Sequence, residues 1–332
     1  MIVLAGDVGG TNARLATVEL DRGAVRIARE QRYPSRDYPG LGPIVRRFFE
    51  GAEARPGRAC FGIACPVVGD DCTAPNLPWR INARRLASEI EIPRTTIIND
   101  FVAVGYGIEA LGPADLATLQ AGSPEPRGTI ALIGPGTGLG QGFLFWERDH
   151  YRVLPSEGGH GDFAARGARQ AGLLETLVRQ FGRVSWERLL SGAGLANLYR
   201  YLLAAAAAPE QAAVRADMEQ EDPASVIVRH GLDGTDPLSV SALDLFCEIL
   251  GAQAGNLALT VIATGGVYLA GGIAPRIVER LRSGPFMAAF RDKGRLAELI
   301  GRIPVHVIMN PNVALLGAAA VAGRVSDGAR EP

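Results

Sequence analysis

Apolar residues over the first hundred positions fall into short runs broken by glycine-bearing turns. "IVLAGDV" (2–8) and "ARLATVEL" (13–20) have the length and β-branched content of strands, joined by the Gly9-Gly10-Thr11 turn, and "AVRIAREQRY" (24–33) is predicted as a third. "YPGLGPIVRRFFEGAEA" then takes helical spacing, "ACFGIACPV" is a strand, "NARRLASEI" a helix and "TTIIN" a strand, with another helix opening near Asp100. Strands alternating with helices predict an α/β sheet covered on its faces.

"LGPADLATLQAGSPEPRG" (111–128) is expected to be a connector, after which the opening pattern returns as "TIALIGPGTGLGQGFLFWE". A strand, a glycine-rich turn with threonine and a second strand recur after about 130 residues, which predicts two lobes built on one plan with their turns facing a shared cleft. Helical spacing dominates the rest, in "ARQAGLLETLVRQF", "LANLYRYLLAAAAA" and "VSALDLFCEILGAQAGNLALTVI", before a last strand "VHVIM" and helix "VALLGAAAVAG". The stretch from Ile249 to Pro275 has no charge and enough length to span a bilayer. Gln253, Asn256 and two Gly-Gly pairs argue instead for a buried helix followed by a buried strand, "VYLA".

Composition narrows the field of partners. The 332 residues, 47% hydrophobic and 21% charged, suit a soluble globular chain of roughly two domains. A formal net charge of −1 offers no footprint for nucleic acid or an anionic membrane, so a small-molecule partner is expected. The sole lysine, Lys293, lies in a charged "FRDKGR" run expected to be solvated surface. Neither the Gly-Lys-Ser/Thr of a P-loop nor the strand lysine of a protein kinase is available, and a pyridoxal Schiff base is disfavoured. Cys60, Cys65, Cys72 and Cys247 form no Cys-x-x-Cys pair and no regular framework, and the chain starts directly on a strand, so a reducing cytoplasm is expected.

Several residues are placed to do chemistry. Glycine-rich turns after buried strands cradle phosphate when backbone N–H groups converge and a threonine hydroxyl adds a donor; as bare structure they are tight hairpins. "GPGTGLGQG" does not fit the dinucleotide fingerprint in any register. Asp7 beside the first turn either bonds its own backbone or holds Mg2+ through water, since its charge would otherwise repel phosphate. Asn99 and Asp100, at the C-terminal end of a strand, sit where α/β sheets bind ligands; Asp100 is either a helix N-cap or a general base for a hydroxyl. Glu157 and His160 in "LPSEGGHGDF" lack metal-ligand spacing, as His150, His160, His230 and His306 give no His-x-x-x-His. Carboxylates and an imidazole among glycines suit a polyhydroxylated ligand. Glu187 joins them or lies on a solvated helix face, and Asp162 is expected to brace the loop.

Together "GDVGGTNARL", "IINDFVAVGYG", "IGPGTGLGQGFL", "LPSEGGHGDFA", "VSWERLLSGAGLANLY" and "GGVYLAGGIAPR" resemble bacterial glucokinase, of the hexokinase-like, actin-type ATPase superfamily, and "MNPNVALLGAAA" extends the resemblance. The branch is the one without the zinc-binding cysteine cluster of the repressor/kinase (ROK) relatives. The resemblance implies an α/β, two-lobed actin-like (ribonuclease-H-like) fold with a ligand cleft between the lobes: a small α/β lobe from 1–108 plus about 303–325 and a large α+β lobe from 109–302. It implies a cytoplasmic homodimer that transfers the γ-phosphate of ATP to the 6-hydroxyl of D-glucose with Mg2+, giving glucose 6-phosphate and ADP, without nucleic acid or membrane partners. Asp100 would be the catalytic base, and Asn99, Asp100, Glu157, His160 and Glu187 would bind sugar. Gly6, Asp7, Val8, Gly9, Gly10 and Thr11 would form the first phosphate turn, with Asp7 holding Mg2+ through water. Gly136, Thr137 and Gly138, within Gly134 to Gly140, would form the second, and Gly271 and Gly272 of "LAGGIAP" would lie against the adenosine. Asn76 of "TAPNLPWRI" is given no role. Alternatives sharing such a pocket are a hexokinase of broader specificity and a non-catalytic sugar-sensing regulator.

Overall fold

The computed structural model describes residues 1–21, 24–52, 54–74 and 77–324; Asn76 lies outside them. β1 (Ile2–Val8), β2 (Asn12–Asp21) and β3 (Ala24–Pro34) run antiparallel in sequence. β4 (Arg58–Ile63) is followed by a small antiparallel sheet of β5 (Val67–Val68), β6 (Asp71–Thr73) and β7 (Arg80–Asn82), and then by β8 (Arg94–Asn99). The main sheet has the order β3-β2-β1-β4-β8, with β4 parallel to β1 and to β8.

Alternate residues of β1 explain why its apolar run is unbroken. Val3 and Ala5 pack with Ala16, Val18 and Cys60 against Leu315, Ala318, Ala319 and Ala322 of the helix Val313–Arg324. Leu4 and Val8 face the other way, into a core with Leu15, Phe61, Ile44, Phe48 and Ile90. Both faces are covered, so neither set can be polar. The helix Val313–Arg324 lies close on the helix Asp100–Gly107: a Cβ on Gly317 would fall 1.8 Å from the Ala103 carbonyl oxygen, and one on Gly107 would fall 2.1 Å from that of Val313.

The second large sheet uses β9 (Leu116–Gln120), β10 (Ile130–Pro135), β11 (Leu139–Glu147), β12 (His150–Ser156), β13 (Gly266–Leu269) and β14 (Val305–Ile308), in the order β12-β11-β10-β13-β14-β9. The sequence echo is real at this level. β10 pairs antiparallel with β11 and parallel with β13, as β1 does with β2 and β4. The charge-free stretch is the C-terminal half of a helix, Pro237–Val261, followed by β13; this helix has the length and hydropathy to cross a membrane, but 78% of its apolar window is buried inside the protein.

By contacts the chain separates into two compact units, one of 1–115, 150–155 and 310–332, the other of 116–149 and 156–309. Two expectations fail, and one pairing appears that the sequence did not show. The connector 111–128 contains β9, too short to show alternation, whose buried Gln120 is anchored by donating to the carbonyls of Ile300 (2.9 Å) and Ile303 (2.6 Å). Lys293 is part-buried and tied down, not free solvated surface: its ammonium donates to the Ala252 carbonyl and to Asn256 Oδ1, both at 2.9 Å, and burial holds its pKa below the usual lysine value. Cys65 and Cys72 form a disulfide, because the β5–β6 hairpin brings their Cα atoms to 6.3 Å, a proximity no spacing rule reveals.

Candidate active site

In the first unit, parallel register aligns Asp7 with Gly62 and Ile63 with Asn99, so the C-terminal ends of β1, β4 and β8 lie side by side. Gly62 lets the following helix start over them. A Cβ there would come 2.8 Å from Ala103 Cβ and 3.5 Å from Asp100 Cα. The helix is capped by Asn99, whose Oδ1 accepts the N–H groups of Phe101 (2.9 Å) and Val102 (3.2 Å). Asp100 is therefore the first helical residue and not the N-cap, which removes the bland alternative for it.

Asn99 Nδ2 donates to the Cys65 carbonyl (3.1 Å) and to Asp100 Oδ1 (3.0 Å), and the Phe101 N–H donates to the same Oδ1 at 2.9 Å. One carboxylate oxygen is thus fixed in place. Burial pushes the Asp100 carboxyl above the ordinary aspartate value, the charge of Asp7 pushes the same way, and the hydrogen bonds from Phe101 and Asn99 pull against both.

Asp7 is raised by burial as well, against the pull of Arg14 and Arg32. Arg14 stands 3.7 Å from it, too far for a hydrogen bond, because its guanidinium is engaged elsewhere: with Glu30 Oε1 (2.8 Å), the Pro311 carbonyl (2.8 Å) and Asn312 Oδ1. The Asp7 carboxylate keeps acceptor capacity. Next to it the first turn closes with Gly9 N–H on the Asn12 carbonyl (2.9 Å), while the buried Ser35 donates from Oγ to Gly9 O (2.8 Å) and from its N–H to Thr11 O (2.9 Å). These bonds turn carbonyls inward, leaving Gly10 part-exposed and Thr11 exposed; Val8 is buried. Neither Ser35 nor Arg14 was legible as part of a site.

The second unit holds the other candidates. The turn between β10 and β11 is closed by Gly136 N–H on Gly138 O (2.8 Å), and Gly192 donates its N–H to Gly136 O (2.9 Å). Gly271 and Gly272 abut this turn. A Cβ on Gly271, whose φ is +81°, would fall 2.4 Å from the Pro135 carbonyl oxygen, and Gly272 N lies 3.9 Å from where a Gly136 Cβ would be. Thr137 is exposed beside them.

Glu187 sits in a short 3-10 turn, Trp186–Arg188, and not on a solvated helix face; its Oε2 accepts the Leu139 N–H at 2.9 Å. Its Oε1 is 3.8 Å from His160 Nδ1, and Glu157 Oε2 is 3.8 Å from His160 Nε2, so the imidazole lies between two carboxylates. Side-chain exposures of 68% for Glu157, 58% for His160 and 33% for Glu187 leave this set open to a ligand. The loop that carries it is held flat against 183–186. Phe163 N–H bonds the Val184 carbonyl and Trp186 N–H the Gly161 carbonyl, each at 3.0 Å. Asp162 braces it as expected: Arg183 donates Nε–H to Asp162 Oδ1 and Nη2–H to the His160 carbonyl, both at 2.6 Å. Gly159 is required, since a Cβ would fall 2.2 Å from the Leu139 carbonyl oxygen. Arg183, beyond the recognised motifs, was missed.

The first unit thus gathers the first turn, Asp7, Asn99 and Asp100, and the second gathers the other turn, Gly271, Gly272, Glu157, His160 and Glu187. Such parts offer amides to phosphate, a part-buried carboxylate to a hydroxyl and paired acceptors to a polyol. Among the described residues no three His, Cys, Asp or Glu side chains could together hold a metal ion directly.

Comparison with known proteins gives consistent likenesses. The sequence model of the glucokinase family matches residues 4–325. A glucokinase of a Nostoc species is 44% identical over 340 residues, covering 98% of this chain and 99% of its own. The crystal structure of a glucokinase from an Antarctic psychrotroph superposes with a TM-score of 0.85 at 31% identity, over 98% of this chain and 99% of the other. A ROK family glucokinase from Streptomyces griseus, solved with glucose and AMPPNP, shares the fold at a TM-score of 0.68 and 22% identity, over 98% of this chain and all of the other.

Proposed function

The chain belongs to the glucokinase family and has its α/β, two-lobed actin-type ATPase fold, and from that premise we propose that it phosphorylates the 6-hydroxyl of D-glucose with ATP, with Asp100 as base. The observation that carries this reading is the Asp100 carboxylate at the head of its helix, one oxygen tied by Phe101 and Asn99 and the pKa raised by burial. A base with a raised pKa accepts a proton more readily.

Phosphoryl transfer needs alignment and charge neutralisation more than covalent chemistry. Asn99, Glu157, His160 and Glu187 accept and donate to vicinal hydroxyls, with Asp100 orienting the 6-hydroxyl and taking its proton as the bond from that oxygen to the γ-phosphorus forms and the bond from the γ-phosphorus to the oxygen of the departing ADP breaks. Gly6 to Thr11 and Gly136 to Gly138 present amides to the phosphates, and Gly271 and Gly272 receive the adenosine. Asp7, with free acceptor capacity, fits a hydrated Mg2+, which when bound would neutralise phosphate charge; one carboxylate and substrate oxygens suffice for that cation. The same reading takes the chain as a cytoplasmic homodimer.

The test is turnover of ATP with D-glucose, D-mannose, D-galactose and D-fructose, with the product followed by phosphorus NMR. Glucose is expected to give the largest kcat/KM and glucose 6-phosphate as product. Stronger turnover of another sugar would reassign the substrate.

A further inference from the structure

Resting on that reading, we propose that Ser35 is a positioning residue for the nucleotide, setting the Gly9–Gly10 peptide so that the Gly10 N–H faces a phosphate. The Gly9 carbonyl and the Gly10 N–H belong to one planar trans peptide, in which they point in opposite directions. Ser35 Oγ donates to that carbonyl at 2.8 Å. Because Ser35 is fully buried, the carbonyl is drawn inward and the amide is turned outward. Among the described residues the N–H groups of Gly10 and Thr11 have no protein partner, which leaves both for an anion.

Among the described residues no other bond holds this peptide. Neither Gly9 nor Gly10 carries a Cβ, so the group between them can rotate at little steric cost unless its carbonyl is tied. The bond from Gly9 N–H to Asn12 O closes the ends of the turn and leaves its middle to the serine. Ser35 is well fixed for this task. Its N–H donates to Thr11 O at 2.9 Å, it heads the 3-10 turn Ser35–Asp37, and its own carbonyl accepts the Tyr38 N–H at 3.3 Å. Trp79 Nε1–H in turn donates to the Tyr38 carbonyl at 3.1 Å. Without the hydroxyl the Gly9 carbonyl loses its partner and is free to swing toward an incoming phosphate, whose charge it repels.

The experiment is calorimetric titration of wild type and Ser35→Ala with AMPPNP and Mg2+ and, separately, with D-glucose. Ser35→Ala is expected to weaken AMPPNP binding by about fivefold or more and to leave glucose affinity unchanged. A general loss of structure would weaken both. Wild-type AMPPNP affinity in Ser35→Ala overturns the proposal, as does an equal loss for the two ligands, whereas wild-type protein that binds no AMPPNP overturns the kinase reading instead. Should Ser35→Ala not fold, as judged by thermal melting, hydrogen exchange of the wild type decides: AMPPNP is expected to protect the amides of Gly10 and Thr11. Exchange there that AMPPNP leaves unchanged overturns the proposal.

Discussion

Leu139 gives its backbone N–H to Glu187 Oε2 at 2.9 Å across a separation of 48 residues. That bond makes the turn between β10 and β11 and the polar set of Glu157, His160 and Glu187 parts of one hydrogen-bonded body. A residue taken from sequence as a sugar ligand is also a structural support for the turn proposed to hold phosphate. Its substitution is expected to disturb two proposed binding functions at once.

Acid limits of activity should report Asp100. Burial and the Asp7 charge raise its pKa, so the carboxyl stays protonated to higher pH than a free aspartate, near 3.9, would. The expected acid limb of kcat/KM lies above that value. Asp7→Asn removes a negative neighbour, which favours ionisation of Asp100 and moves the limb to lower pH, whatever the cost in overall rate. A limb that shifts upward in Asp7→Asn contradicts the assignment.

Arg14 is expected to matter for the cation more than for the sugar. Its charge pulls the Asp7 pKa down, so Arg14→Met lets that carboxyl rise further. The Mg2+ concentration for half-maximal rate should rise, and rise more at about pH 5.5 than at about pH 8, with glucose KM little changed. Titration of Mg2+ at the two pH values checks it; a change confined to glucose KM contradicts it.

Glycines at the closest contacts separate stability from chemistry. Gly317→Ala places a Cβ 1.8 Å from a backbone oxygen that cannot yield, whereas Gly62→Ala meets the Ala103 methyl at 2.8 Å. Overpacking typically costs about 1–3 kcal/mol, and the first change should cost more than the second. Gly62→Ala should instead lower kcat by displacing the helix start that carries Asp100. Thermal melts and kinetics on both variants decide, and an unaltered melt for Gly317→Ala rules out the helix contact.

The sequence carried those features whose physics is local. Strand runs, the two glycine turns and their echo, and the helix start after Asn99 are periodicities and turn chemistry within a dozen residues, and the structure shows each of them. β9 was hidden because five residues show too little alternation and its register is set by Gln120 reaching Ile300 and Ile303. Lys293 looked solvated because its neighbours in sequence are charged, while its partners Ala252 and Asn256 are about forty residues away. Ser35, Arg14 and Arg183 were missed for the same reason: each supports the candidate site through backbone carbonyls or distant carboxylates, which no motif records.

The most direct measurement is steady-state kinetics of ATP and D-glucose for wild type and Asp100→Ala, with glucose binding measured separately. The account expects glucose 6-phosphate from the wild type, and in the variant a kcat lower by about a hundred- to ten-thousand-fold with sugar still bound. A variant that keeps wild-type kcat would contradict it.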